Sequence, residues 1–497
     1  MLVFASGTPQ RKRWHRRWEQ SPVATPSDLE LCQFAGTLDG NSQPLLWQFF
    51  TSLKESMYPM ELCFHFDNAK TMWYQWLSVD TAYFNSVLFT VSAFNDVCRN
   101  RSRHGRGGSG GNDYILLDDD DDDDDDVGHF SSSNRARRAD AITSLFAPRT
   151  RAYLSRTMAQ LQERLYDGRR QCDDVTVAVV VTLAMTADVA GDEEACRAHV
   201  GGLMRIVEAR GGLGAFDGNK QLQMKLLRID LAWAMKHGAR PRFADRGLVL
   251  DWRPRFRAVL ARESPVAPDA AVPEAAARLC ARVSPELAGA YADMHAFASV
   301  AGRLFRGREK LRPELYQDMM VSVQYRLLLL GGGESDGGGR SEMAGEGGEG
   351  GRGGRSVVEE CFRLGLLAFQ TSVFVTNLGV RVRYAAVAES MREALRALRP
   401  ADDAETSLKL WALLVGAVVV FGPPSEGKEK EGVEGGDGDG EEEEGPWLAR
   451  ALGEVAALMS WEEVERRLRD VLWIDVLLGE RGRKVFERAA AAAGLRR

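Results

Sequence analysis

Gly422, Gly427 and Lys428 of VVVFGPPSEGKE have P-loop spacing behind an apolar run, an arrangement whose amides and lysine would hold nucleotide phosphates. The residues around them oppose that chemistry. Glu429 stands where a Ser or Thr hydroxyl should reach magnesium, Pro423 and Pro424 lack N–H groups, and an acidic glycine-rich tract follows where a helix should. GGSGG at 107–111 centres Ser109 as a nucleophile elbow would, but no strand precedes it and no helix follows to strain the turn. Neither string is expected to act, so no catalytic residue is assigned.

Gly211 and Gly212 in ARGGLG pose the same question. A phosphate is held at the N-terminal end of a helix, where amides point outwards, whereas these glycines follow the end of an amphipathic run. That is the place of a left-handed cap on orphan carbonyls. No HExxH, CxxC pair or Cys/His zinc spacing occurs, and His199 and His295 fall on helical patterns as core-edge residues. The run Asp118–Asp126 attracts cations without a fixed coordination geometry. No metal and no cofactor are therefore expected. RKRWHRRW, with Arg11, Lys12, Arg13, Arg16 and Arg17, reads either as a nuclear-localisation or phosphate-contacting arm or as a solvated basic tail.

Length and composition set the frame for these motifs. A chain of 497 residues with 44% hydrophobic content can bury a sizeable core. Its seven cysteines are odd in number and the nearest two, Cys172 and Cys196, are 24 positions apart, which suits reduced thiols. The opening MLVFASGTPQRKRW lacks the order of regions of a secretory signal. The longest apolar runs, 410–421 and 175–185, are shorter than the roughly 20 residues a bilayer requires and read as buried core, so no membrane partner is expected. The net charge of −7 hides an uneven distribution: nine consecutive aspartates and ten acids against two lysines in 425–444 leave the remainder mildly basic.

The expected fold is all-α, a multi-helical array of packed hairpins interrupted by long disordered insertions. A basic tail (1–27) leads to a first helical block (28–98), and a Gly/Arg/Asp-rich insertion (99–139) precedes the central block (140–330). A Gly-rich insertion (331–355), a third block (356–421), an acidic insertion (422–446) and C-terminal helices (447–497) complete the chain. The insertions hold too little apolar surface to offset their ordering entropy, and the helical blocks together are expected to form one domain.

In 193–210, Cys196, Val200, Leu203 and Val207 recur at helical spacing behind an Asp192 cap, and Met204 widens the stripe. In 219–237, Asn219 caps a stripe of Leu222, Leu226, Ile229 and Trp233 that Gly238 stops before Pro241. Ser460 and Glu463 form a capping box, with Met459 and Val464 as its staple, opening a helix through WEEVERRLRDVLWIDVLL. The alternation of Val175, Val177, Val179, Val181, Leu183 and Met185 is strand-like, yet helical neighbours favour a buried helix.

The ordered string His199, Gly202, Leu203, Arg210, Gly211, Gly212, Asp230, Pro241 and Phe243 resembles the signature of the fungal-specific transcription factor domain of zinc-cluster regulators. Residues 57–66 and 73–94 are similar to that family's opening segment, and 408–422 with 460–475 to its closing one. The resemblance implies an all-helical regulatory region, a nuclear role in transcription, protein partners or a small-molecule effector, and no catalysis. Such regulators carry six closely spaced cysteines near the N-terminus, a cluster not found here. Either this regulator-like chain has no DNA reader, or an upstream exon supplies one; sequence-specific DNA binding is not expected of this chain alone. The alternatives are a helical scaffold of cytoplasmic location and a nucleotide-dependent enzyme using Lys428.

Overall fold

In the computed structural model the described residues are 29, 32–53, 72–104, 145–243, 272–306, 313–331, 355–374, 384–421, 444–456 and 459–492. They form sixteen α-helices and, among the described residues, no strand, so the all-α class holds. The packing divides into two compact units, with the boundary between Ile229 and Asp230.

The first unit contains α1 (Ser42–Gln48), α2 (Met72–Val79), α3 (Thr81–His104), α4 (Pro148–Tyr166), α5 (Asp174–Ala190), α6 (Glu193–Ala209) and the start of α7 (Lys220–His237). Helix α3 continues into the tract expected to start at 99. Asn100 Nδ2 in it donates to the Leu145 carbonyl at 2.9 Å. Antiparallel packing of α3 on α4 is fixed by Asn85 Nδ2 on Gln160 Oε1 (3.1 Å), the Ser92–Thr150 hydroxyl pair (2.6 Å) and the Ala147 amide on Asp96 Oδ2 (2.9 Å).

Helix α5 settles the alternating valines. Its N-cap Asp173 accepts from the Thr176 amide at 2.6 Å, and Val177 to Val181 are all buried, whichever face they occupy. Burial all round removes the polar face by which helical periodicity is read. Helix α6 is capped by Asp192, which accepts from the Ala195 amide at 3.0 Å, and buries Cys196, Val200, Leu203, Met204 and Val207 as expected.

The second unit begins in α7 at Asp230 and continues through α8 (Glu274–Cys280), α9 (Pro285–Arg306), α10 (Pro313–Gly331), α11 (Val357–Phe374), α12 (Ala385–Ala397), α13 (Asp403–Val419), α14 (Glu444–Ala456), α15 (Trp461–Val471) and α16 (Glu480–Ala492). Its core is α13, the run read as buried core. Trp411 on it is fully buried between Phe362 and Phe369, and the missing Cβ of Gly365 makes room for its indole. Among the described residues no helix is long and apolar enough to cross a membrane.

The C-terminal helix is shorter than expected. Ser460 accepts from the Glu463 amide at 3.3 Å, but the Glu463 carboxylate takes Arg466 and Arg467. After Val471 the backbone turns extended at Leu472 and Ile474, and Leu472, Trp473 and Ile474 are all buried. Helix α15 buries only one face, with Val464, Leu468 and Val471, and three adjacent apolar residues cannot share a single face, so extension buries them here at the cost of helix bonds. Buried donors replace those bonds: Tyr291 OH donates to the Val471 carbonyl at 2.9 Å and Trp411 Nε1 to that of Leu472 at 2.5 Å.

The basic tail, Ser109, Gly422, Gly427, Lys428, residues 57–66 and Asp118–Asp126 lie outside the described residues, as do most of the three insertions and 244–271.

Helix α6 ends in a Schellman motif. Gly211, at φ +95°, donates to the Glu208 carbonyl and Gly212 to that of Val207, both at 2.9 Å. A Cβ on Gly211 would meet no other atom within 4 Å, so its cost is purely that of the left-handed backbone. Gly211→Ala is expected to destabilise the fold by about 1 kcal/mol, read as a lower urea midpoint with unchanged slope. An unchanged midpoint would remove the cap from the account.

Candidate functional site

The residues of the signature string separate into two clusters, one in each unit. In the first, the Schellman end of α6 delivers Arg210 to the start of α5. Its Nη1 donates to Asp174 Oδ1 at 2.6 Å and to the Cys172 carbonyl at 3.2 Å, and its guanidinium carbon lies 4.0 Å from the Phe216 ring centroid. The other Asp174 oxygen accepts from Asn219 Nδ2 at 2.6 Å. Asn219 Oδ1 in turn caps α7 by accepting from the Leu222 amide at 3.1 Å. One arginine and one aspartate thus join the end of α6 to the beginnings of α5 and α7, and Asp174 sits where the positive end of the α5 dipole favours it.

Gly211 and Gly212 spend their amides on the helix carbonyls, so these donors do not point to a phosphate. Leu203 is core. His199 is half-buried, and burial pushes its imidazole pKa below the ordinary value while Asp192 opposes the shift. Gly202 lies on α6 with open space where a Cβ would stand. His295 lies in the second unit, against Tyr291 with ring centroids 5.7 Å apart.

In the second cluster Asp230 is 1% exposed. Its Oδ1 accepts from the Arg242 amide at 2.9 Å, and its Oδ2 from the Phe243 amide at 3.0 Å and from Tyr325 OH at 2.7 Å. The carboxylate therefore ties α7 to the segment that follows Pro241 and to α10. Pro241 and Phe243 are buried beside it. Burial raises the Asp230 pKa, and the three donors only partly offset this. Gly238, at φ +61°, turns the chain out of α7 so that the Arg242 and Phe243 amides can reach back.

Reading the sequence missed Asp174 and Tyr325. No local signal marks them, because their partners lie 36 and 95 positions away. It also missed the buried pair of Arg164 and Asp80, whose side chains are 5% and 10% exposed. That pair joins the end of α4 to the start of α3, where Asp80 also accepts from the Tyr83 amide at 2.9 Å. Among the described residues no group of His, Cys, Asp and Glu is placed to hold a metal ion, and no disulfide links any pair of the six described cysteines. Chemically, both clusters do one thing: their polar side chains satisfy backbone groups beside helix ends, the Cys172 carbonyl and the Leu222 amide in the first and the Arg242 and Phe243 amides in the second.

No family model, no curated protein and no solved structure matches the chain.

The raised Asp230 pKa has a definite sign in stability. Between its ordinary value of 3.8 and its higher folded value, the folded state holds more protons than the unfolded one. Stability contributed by Asp230 is therefore greatest below that window, falls as pH rises through it and is level above it. Unfolding midpoints measured across the acid range should show this fall in the wild type, and Asp230→Asn should lack it. At neutral pH the variant should lose about 1–3 kcal/mol, because one of three buried donors is left without an acceptor. An identical pH profile in the two proteins would contradict the assignment.

Proposed function

We propose that the chain is a non-enzymatic helical regulator of the type resembled by its signature string, acting in the nucleus through protein partners or a bound effector and holding no DNA reader of its own. The observation that supports this reading is the use made of the string. Leu203 is core, Arg210, Gly211 and Gly212 fasten one helix end, and Asp230 with Phe243 fastens another. A string used as a set of helix fasteners suits a domain whose output is shape and partner contact. Specific DNA readout needs a rigid element that carries side chains to base edges, whereas a basic tail such as Arg11–Arg17 supplies only salt-sensitive phosphate contacts.

Two measurements test the proposal. The full chain fused to a heterologous DNA-binding module should change transcription from a matching reporter severalfold, and a silent reporter with the fusion in the nucleus would overturn the regulator reading. The purified chain should enrich no motif from a random oligonucleotide pool, and its weak DNA affinity should vanish at physiological salt. A recovered motif that survives such salt would show that a DNA reader is present.

A further inference from the structure

Six large hydrophobic side chains stand out as exposed among the described residues, and three of them, Met158 (42%), Leu165 (43%) and Tyr166 (83%), lie on α4. This helix packs chiefly on α3 and turns Thr150, Tyr153, Thr157, Leu161 and Arg164 inward. Along the opposite, outward line stand Ala152, Ala159 and Tyr166, seven positions apart and all exposed. Helical spacing puts Met158 and Leu165 on one edge of that line and Arg156 and Glu163 on the other. Neither Arg156 nor Glu163 has an ion-pair partner among the described residues. The outward face of α4 thus has an apolar edge, a middle of two small side chains and one large, and an edge bearing one charge of each sign.

Such a face is complementary to itself in one orientation. When two copies of α4 lie antiparallel, a twofold axis relates them and each edge meets the same edge of the other copy. A parallel pair would instead set the charged edge against the apolar one. With the axis midway between positions 156 and 163, Arg156 of each copy lies level with Glu163 of the other, which gives two opposite-charge contacts. The same axis passes beside Ala159, whose small side chain allows the helices to approach closely. Tyr166 then lies over Ala152 of the second copy, a large side chain against a small one, and Met158 lies within a turn of Leu165 of the second copy. Charge, size and apolar character are matched by one placement of the axis.

We propose that the outward face of α4 is a contact between two copies of this chain, an antiparallel helix pair with Ala159 at its twofold axis. One helix face buries less than the about 800 Å² per partner of a standard interface, so the dimer is a weak one that forms as concentration rises. This inference does not depend on the regulator reading.

Sedimentation equilibrium of the full chain at about 0.1 M salt tests it. The wild type should pass from monomer towards dimer between about 1 and 200 µM. Arg156→Glu replaces two opposite-charge contacts by two like-charge ones and should weaken dimerisation about tenfold, and Glu163→Arg should do the same. The double variant, Arg156→Glu with Glu163→Arg, should return to within about threefold of the wild type, because each charge again meets its opposite. Ala159→Arg, which brings like charges together at the axis, should stay monomeric, while Arg205→Gln on α6 should behave as the wild type. All four positions are exposed, so folding should survive, and circular dichroism and melting check this. A monomer at every concentration would overturn the proposal. So would a dimer that Ala159→Arg leaves intact, or a double variant that dimerises no better than the single ones.

Discussion

Each α-helix leaves four amides and four carbonyls without partners inside itself, and a chain built from helices has no sheet edge on which to satisfy them. This constraint organises the protein. Where helix ends reach water they need little help; where they are buried, each needs a donor or acceptor from elsewhere in the chain. Asp230 supplies acceptors to two amides after α7, Arg210 a donor to the carbonyl of Cys172 before α5, and Tyr291 and Trp411 donors to the carbonyls freed beyond α15. Remove these side chains and the apolar faces remain, but nothing fixes how one helix follows another.

The same constraint explains what was legible in the sequence. Caps act over three residues, so Asp192, Asn219 and Ser460 could be read from their neighbours, and so could Gly211 as the end of α6. The fasteners between helices act over 61 positions for Trp411 with Leu472 and 180 for Tyr291 with Val471. Nothing in the local pattern names such partners. The break at Leu472 was hidden for a related reason: VLWI continues an apolar pattern compatible with helix, and the chain extends because α15 offers only one buried face while Leu472, Trp473 and Ile474 are all buried. Helix α5 was obscured in the opposite way, since a helix buried on every side has no polar face to betray its period.

These fasteners also place the candidate surfaces. The buried pair of Arg164 and Asp80 ties the end of α4 to the residue that follows α2, and Val79 and Tyr166, near those ends in sequence, are exposed. Breaking a buried ion pair by removing one partner strands the other charge, so this junction is expected to be rigid.

The claim that buried polar side chains fasten helix ends is tested most directly by hydrogen exchange at the Arg242 and Phe243 amides, in the wild type and in Asp230→Asn. Bonded to a carboxylate that is 1% exposed, both amides should exchange slowly in the wild type, and the one that loses its acceptor to the Asn amide nitrogen at least about tenfold faster in the variant, while amides inside α13 change much less. Fast exchange of both amides in the wild type, or equal protection in the two proteins, would contradict it.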